Sequence, residues 1–227
     1  MTHLGTRLTK AIEPTFRAHG FKRNKHGAFI RPTPHGFDNF LWATHPTVTA
    51  SEGMAQKYSL LMGVRHNLVE DAVNQLEFIY GLENQKQTTT VSTPLELFPP
   101  TQQRAYSVVL EHNASDAAIS IAAASIGDVL IADALPFYAA YSSIEHCASG
   151  LNSALDQRSH FLFNNYETRM YHAIAAAHFA SASSCRDVVQ SWLSCAESTL
   201  PASVWHTAQD RLTKLLLVLG ISQRDRL

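Results

Sequence analysis

The chain has 227 residues, 45% hydrophobic and 16% charged, and a formal net charge of −1 with histidine neutral. That length buries enough apolar surface to fold without disulfides or metal, and the near-zero charge gives no global attraction to nucleic acid or anionic membrane. Three cysteines without Cys-x-x-Cys spacing, an opening MTHLGTRLTK without an apolar signal core, and no apolar run of membrane-spanning length predict a reduced, cytoplasmic protein.

The charge is unevenly placed. Residues 1–31 carry Arg7, Lys10, Arg17, Lys22, Arg23, Lys25 and Arg31 against Glu13 alone, a local net of +6, whereas residues 67–100 carry five acids against Lys86, a local net of −4. Leu4, Leu8, Ile12 and Phe16 recur every four residues and predict a helix, with Pro14 a point of kinking or interruption. Gly20 supplies a left-handed stop, and the cations that follow suit a negative helix end.

Phe29-Ile30 and Phe37–Ala43, separated by Pro34-His35-Gly36, predict a hairpin. Residues 45–56 read as a loop. Tyr58, Leu60, Met62 and Val64 alternate with polar or small residues, as a half-buried strand requires. Asn67–Glu70 predicts a capped helix start, with Leu68, Ala72, Val73, Leu76, Ile79 and Tyr80 inward and Gly81 as the stop. Residues 82–104, rich in threonine and proline, read as a long loop, and Arg104–Glu111 as a fourth strand.

From Ala114 onward alanine and serine dominate and strand signals vanish. Helices are predicted over 116–133 with a break or kink at Pro136, from Ser142-Ser143 toward Leu155, from Phe163 to Ala177, from Ser184 to Ala196, and from Pro201 to Leu219. The fold class is α+β: a small antiparallel sheet of about four strands covered by helices, then an all-helical half, with a domain over 1–155 and a helical extension over 156–227.

The amphipathic first helix, the Gly20-Phe21-Lys22-Arg23 corner, the Phe29-x-Arg31 strand, the Tyr58–Val64 strand and Leu135-Pro136-Phe137-Tyr138 before Ile144–Leu151 resemble a bacterial family of unknown function, numbered 4304 among such domains. The resemblance spans residues 4–152. The 82–104 loop and the helices after Leu155 depart from the family pattern. It implies a small cytoplasmic protein of the kind found with polymorphic toxins, acting as an immunity factor, and it transfers no catalytic residue.

No dinucleotide fingerprint, P-loop, Gly-x-Ser-x-Gly or His-Glu-x-x-His motif occurs. The basic corner of Arg17, Lys22, Arg23, Lys25 and Arg31 is either a solvated helix end or a site for an acidic protein partner; nucleic acid is the weaker third reading. Glu70, Asp71 and Glu77, with Glu83, form an acidic helix face that is either solvated or masks a basic cleft on a partner. His45, His66 and His112 fall near strand ends and would make a histidine-rich rim only if they converged. Phe37, Phe40 and Trp42 could stack on bases, but ordinary core packing explains them as well. The balance favours a non-enzymatic interaction factor without cofactor, metal ligand set, catalytic residue or membrane contact. The alternatives are an unfamiliar enzyme using the histidine rim and a nucleic-acid module using the 17–31 corner.

Overall fold

A computed structural model of the chain describes residues 3–49, 53–76, 85–97, 106–157, 166–181 and 185–221. The protein is α+β, an antiparallel sheet with helices and a helical C-terminal half. The described strands are β1 (Lys22–Arg23), β2 (Phe29–Thr33), β3 (Gly36–Val48), β4 (Met54–His66), β5 (Val91–Pro94) and β6 (Ser107–Glu111). They form one sheet in the order β1-β2-β3-β4-β5, with β6 also paired to β4. The described α-helices are α1 (His3–Ala18), α2 (Asn67–Val73), α3 (Asp116–Val129), α4 (Leu135–Tyr141), α5 (Ile144–Leu151), α6 (Tyr166–Ala180), α7 (Cys185–Thr199) and α8 (Ala202–Val218).

The chain divides into two compact units. One comprises Met1–Gly63 with Thr93–Ala139, the other Val64–Ser92 with Ala140–Leu227. This division differs from a single boundary at residue 155, because each unit combines an early and a late stretch of chain.

The core of the first unit begins at the anticipated helix stop. The Phe21 N–H reaches back to the Phe16 carbonyl and the Gly20 N–H to that of Arg17, with Gly20 at φ +84°, a left-handed conformation that disfavours a side chain. The chain thereby folds Phe21 onto Phe16, whose ring also lies 4.4 Å from Phe29 and 5.0 Å from Phe40. Phe29 and Phe40 are direct cross-strand partners in the β2–β3 register, so three elements meet on one aromatic cluster. Pro14 does not interrupt α1. Both Pro14 and Lys10, whose carbonyl loses its usual helical donor, lie on the exposed face.

Two expected loops contain strand. β3 runs on through the exposed Thr44-His45-Pro46 to Val48, and β4 begins at Met54. β5 lies inside the threonine-rich stretch: Val91 and Thr93 are buried in alternation, and Pro94 comes only at the final position, where a missing donor matters least.

Pro136 also fails to break its helix. Five residues, Leu130–Ala134, form a π turn in which the Leu135 N–H donates to the Leu130 carbonyl, so α3 and α4 continue as one 26-residue helix. Among the described residues this helix, Asp116–Tyr141, is long and apolar enough by length and composition to cross a membrane. In the first unit α3 packs on α1. Close approach is set by Gly127, where an added Cβ would lie 3.3 Å from Thr15 Cγ2.

Tyr138 ties α4 to the sheet. Its hydroxyl donates to the Asn39 carbonyl at 2.7 Å in a buried setting. Tyr138→Phe should lower stability by about 1–3 kcal/mol in urea unfolding, because a buried acceptor loses its donor.

Candidate functional site

The residues of the basic corner meet different fates. Arg31 turns inward: its Nε donates to Asp38 Oδ2 at 2.8 Å, and its guanidinium lies 5.0 Å from the Phe21 ring and 5.4 Å from that of Tyr138. Asp38 is its direct cross-strand partner and is buried, so this cation stabilises the core of the first unit. Burial, with the Asp38 charge adding to it, in turn holds the Tyr138 hydroxyl well above the usual phenol range. Arg17 is exposed and pairs with Glu13 one turn earlier, at 2.6 Å.

Lys22 and Arg23 on β1 and Lys25 in the turn that follows are all exposed, as is His26. The turn is held from within by Asn24. Its side-chain oxygen accepts from the N–H groups of His26 (2.9 Å) and Ala28 (3.0 Å), and its N–H donates to the Ala28 carbonyl at 2.8 Å. Gly27, at φ +92°, completes the turn by donating to the Asn24 carbonyl. An asparagine that bonds the backbone two residues on is a stiff turn, so the three cations sit on a fixed frame.

The acidic face needs correction. Glu70 is fully buried in the second unit, Asp71 is exposed, and Glu77 lies outside the described residues. Val69, Ala72, Val73 and Leu76 are buried while Leu68 is largely exposed, so the inward arc of α2 is rotated from the expected one and takes in Glu70. Asn67 does not cap this helix either. His66 occupies the cap position but its side chain does not bond the helix end, and the Asn67 oxygen accepts from Arg65 Nε at 2.8 Å.

Glu70 is instead the centre of a buried polar cluster. Its Oε1 lies 3.1 Å from His172 Nε2 and accepts from the Thr90 hydroxyl at 3.0 Å, while Oε2 lies 3.9 Å from Arg65 Nη1. The other ring nitrogen, His172 Nδ1, lies 2.8 Å from the Thr168 carbonyl. Burial pushes the Glu70 carboxyl up, but the His172 charge and hydrogen bond, with Arg65 behind them, outweigh it and hold the group below its usual range. Burial likewise pulls the His172 imidazole down, and Glu70 outweighs it to leave the ring raised.

Arg65 extends the cluster. Its Nη1 donates to the carbonyls of Gln85 and Thr88 at 3.0 Å and to the Thr88 hydroxyl at 2.9 Å, and its Nη2 to Asp71 at 3.2 Å. Asn74 Nδ2 bonds the same Thr88 hydroxyl, and the Thr90 hydroxyl accepts from the His66 N–H. Thr88 and Thr90 thus fasten the 85–91 segment to α2.

The cluster centre is closed to solvent, with 1% of the Glu70 side chain and 3% of the His172 side chain exposed. It can store a proton and fix two helices; a substrate has no approach to it. His172 carried a legible signal, because Thr168–Ala177 is buried on every side and a histidine in such a helix must find internal partners.

The histidine rim does not form a metal site. His66 Nε2 bonds the Tyr141 carbonyl and His112 Nδ1 the Met54 carbonyl, both at 2.9 Å, while His45 is exposed. Among the described residues no three His, Cys, Asp or Glu side chains are placed to hold a metal ion. Phe40 is buried in the aromatic cluster and closed to a base, and the half-buried Trp42 packs against Phe29 and Tyr58. Burial pushes the thiols of Cys147 to about 12 and of Cys185 to about 11.

No family model, curated protein or solved structure matches this chain.

Two outcomes follow from the cluster and the thiols. His172→Ala should destabilise the protein by about 3–5 kcal/mol, since it strands a buried carboxylate, and replacing both Glu70 and His172 with Met and Leu should recover most of that loss in the same unfolding assay. Native alkylation at pH 8, read by peptide mass spectrometry, should leave Cys147 and Cys185 unmodified, because the reactive thiolate is scarce at such pKa values.

Proposed function

We propose that the protein is a non-enzymatic interaction factor, of immunity or toxin-antagonist type, that holds an acidic segment of a protein partner on the β1–β2 hairpin. The observation that carries this reading is the stiff Asn24 turn, which presents Lys22, Arg23 and Lys25 on one frame. A turn whose backbone is already held spares the cost of ordering the loop on binding, and its cations steer an oppositely charged partner toward it. β1 is also the terminal strand of the sheet order and only two residues long, so its free edge lies beside the cations. Lysine on a short edge strand prevents unwanted strand pairing; here it also selects for acidic sequences. The immunity assignment rests on the resemblance of residues 4–152 and on this basic surface.

A glutamate-rich peptide titrated into the labelled protein should shift the amide signals of residues 21–29. Lys22→Glu combined with Arg23→Glu and Lys25→Glu should abolish that shift while leaving the thermal midpoint nearly unchanged. Failure of the wild-type hairpin signals to move removes the proposal. Single-stranded and duplex oligonucleotides provide the competing arm: binding that weakens with a log–log salt slope of about −2.7 for the duplex or about −2.1 for the single strand, as three phosphate contacts require, would assign the hairpin to nucleic acid instead.

A further inference from the structure

We infer that the joint between α2 and α6 in the second unit is a pH-gated latch: one proton between Glu70 Oε1 and His172 Nε2 holds it closed, and loss of that proton releases it. The geometry requires the proton. His172 Nδ1 faces the Thr168 carbonyl, which only accepts, and Nε2 faces a carboxylate oxygen, which also only accepts when ionised. Both contacts are satisfied only when a proton lies between the acid and the ring in addition to the one on Nδ1. Remove it, and a lone pair meets a lone pair in a dry interior, where an unmet polar contact is most costly.

Among the described residues the surroundings offer no substitute proton. From α2 come Glu70 itself and Asp71, which is engaged with Arg65. β4 contributes Arg65, 3.9 Å from the other Glu70 oxygen and committed to the 85–88 segment, and His66, whose Nε2 bonds Tyr141. The 85–91 segment supplies only the hydroxyls of Thr88 and Thr90. On α6 itself Glu167 is held by Arg211 of α8 and by the Tyr171 hydroxyl, and Arg169 bonds the carbonyls of Leu151, Ser153 and Gln157. The buried faces of α5, α7 and α8 are Cys147, Ala148 and Leu151; Cys185, Val189, Trp192 and Ala196; and Ala208, Leu212, Leu215 and Leu216. None of these delivers a charge to the pair.

The latch has a defined working range. The closed-state imidazole is raised, so its stabilisation is complete below the ordinary histidine value of about 6.5 and is lost as pH rises through the closed-state value. The Glu70 carboxyl is lowered, so its share is complete above the ordinary carboxylate value and is lost only as pH falls through the closed-state value. Release by alkali therefore starts near neutrality, whereas release by acid lies well below it.

Amide hydrogen exchange across pH 6–9, corrected for intrinsic rate, tests the latch together with a ring-proton titration of His172. Opening of α2 and α6 should become about tenfold easier per pH unit above about 6.5 and level off beyond the His172 midpoint. Glu70→Gln should lower that midpoint by at least about tenfold in acid constant and flatten the exchange profile. His172→Gln should abolish the pH dependence altogether. A His172 midpoint at or below the ordinary value, or a wild-type exchange profile independent of pH, overturns the inference. So does a profile that survives Glu70→Gln, which keeps the test decisive even if His172→Gln does not fold.

Discussion

A carboxylate removed from water needs a counter-charge close by, and in the second unit that requirement is met by one contact, Glu70 to His172. Burying either group alone would cost several kcal/mol. The pair therefore exists only if α2 and α6 meet in one register, and meeting there brings Thr90 and Arg65 into bonding range as well. Such an arrangement contributes specificity more than net stability, because an apolar pair of similar volume would pack at least as well. What it excludes is a slipped or rotated α2, which would leave an ionised oxygen against alanine and valine.

The first unit meets the same requirement with another device. Arg31 and Asp38 face each other across β2 and β3, and two rings flank the half-buried arginine. The stem of Arg31 also passes 3.6 Å from where a side chain on Gly20 would begin. One glycine thus serves both the helix stop and the close passage of the cation. The corner's chemistry is divided as a result, with Arg31 spent on the fold and Lys22, Arg23 and Lys25 exposed on the surface.

The parts of this fold that follow from local pattern were legible in the sequence. The four-residue spacing of Leu4 to Phe16, the alternation from Tyr58 to Val64 and the texture change after Asn113 each reflect one element meeting one apolar layer. What escaped reading depends on partners distant in the chain. Glu70 looks like a solvent residue until His172 is known to face it, and the inward arc of α2 cannot be phased without that knowledge, since Leu68 and Val69 are equally apolar. β5 was hidden because threonine and proline are loop residues unless a neighbouring strand takes up their backbone, as Val64 does by accepting the Thr90 N–H at 2.8 Å. Of the basic corner, the cluster was visible in sequence and the inward turn of Arg31 was not, because its cause is Asp38 on the next strand.

The π turn before Pro136 changes the phase of everything that follows it. Widening one helical turn by a residue advances the face of a helix by about 100°. Phe137 and Tyr138 point inward only with that advance, so the wide turn and the Asn39 bond are two ends of one alignment. Wound as ideal α-helix, the same residues would carry the phenol about 100° away from the sheet, whereas removing a single residue between Leu130 and Ala134 would restore α-geometry with the phenol still aimed at Asn39.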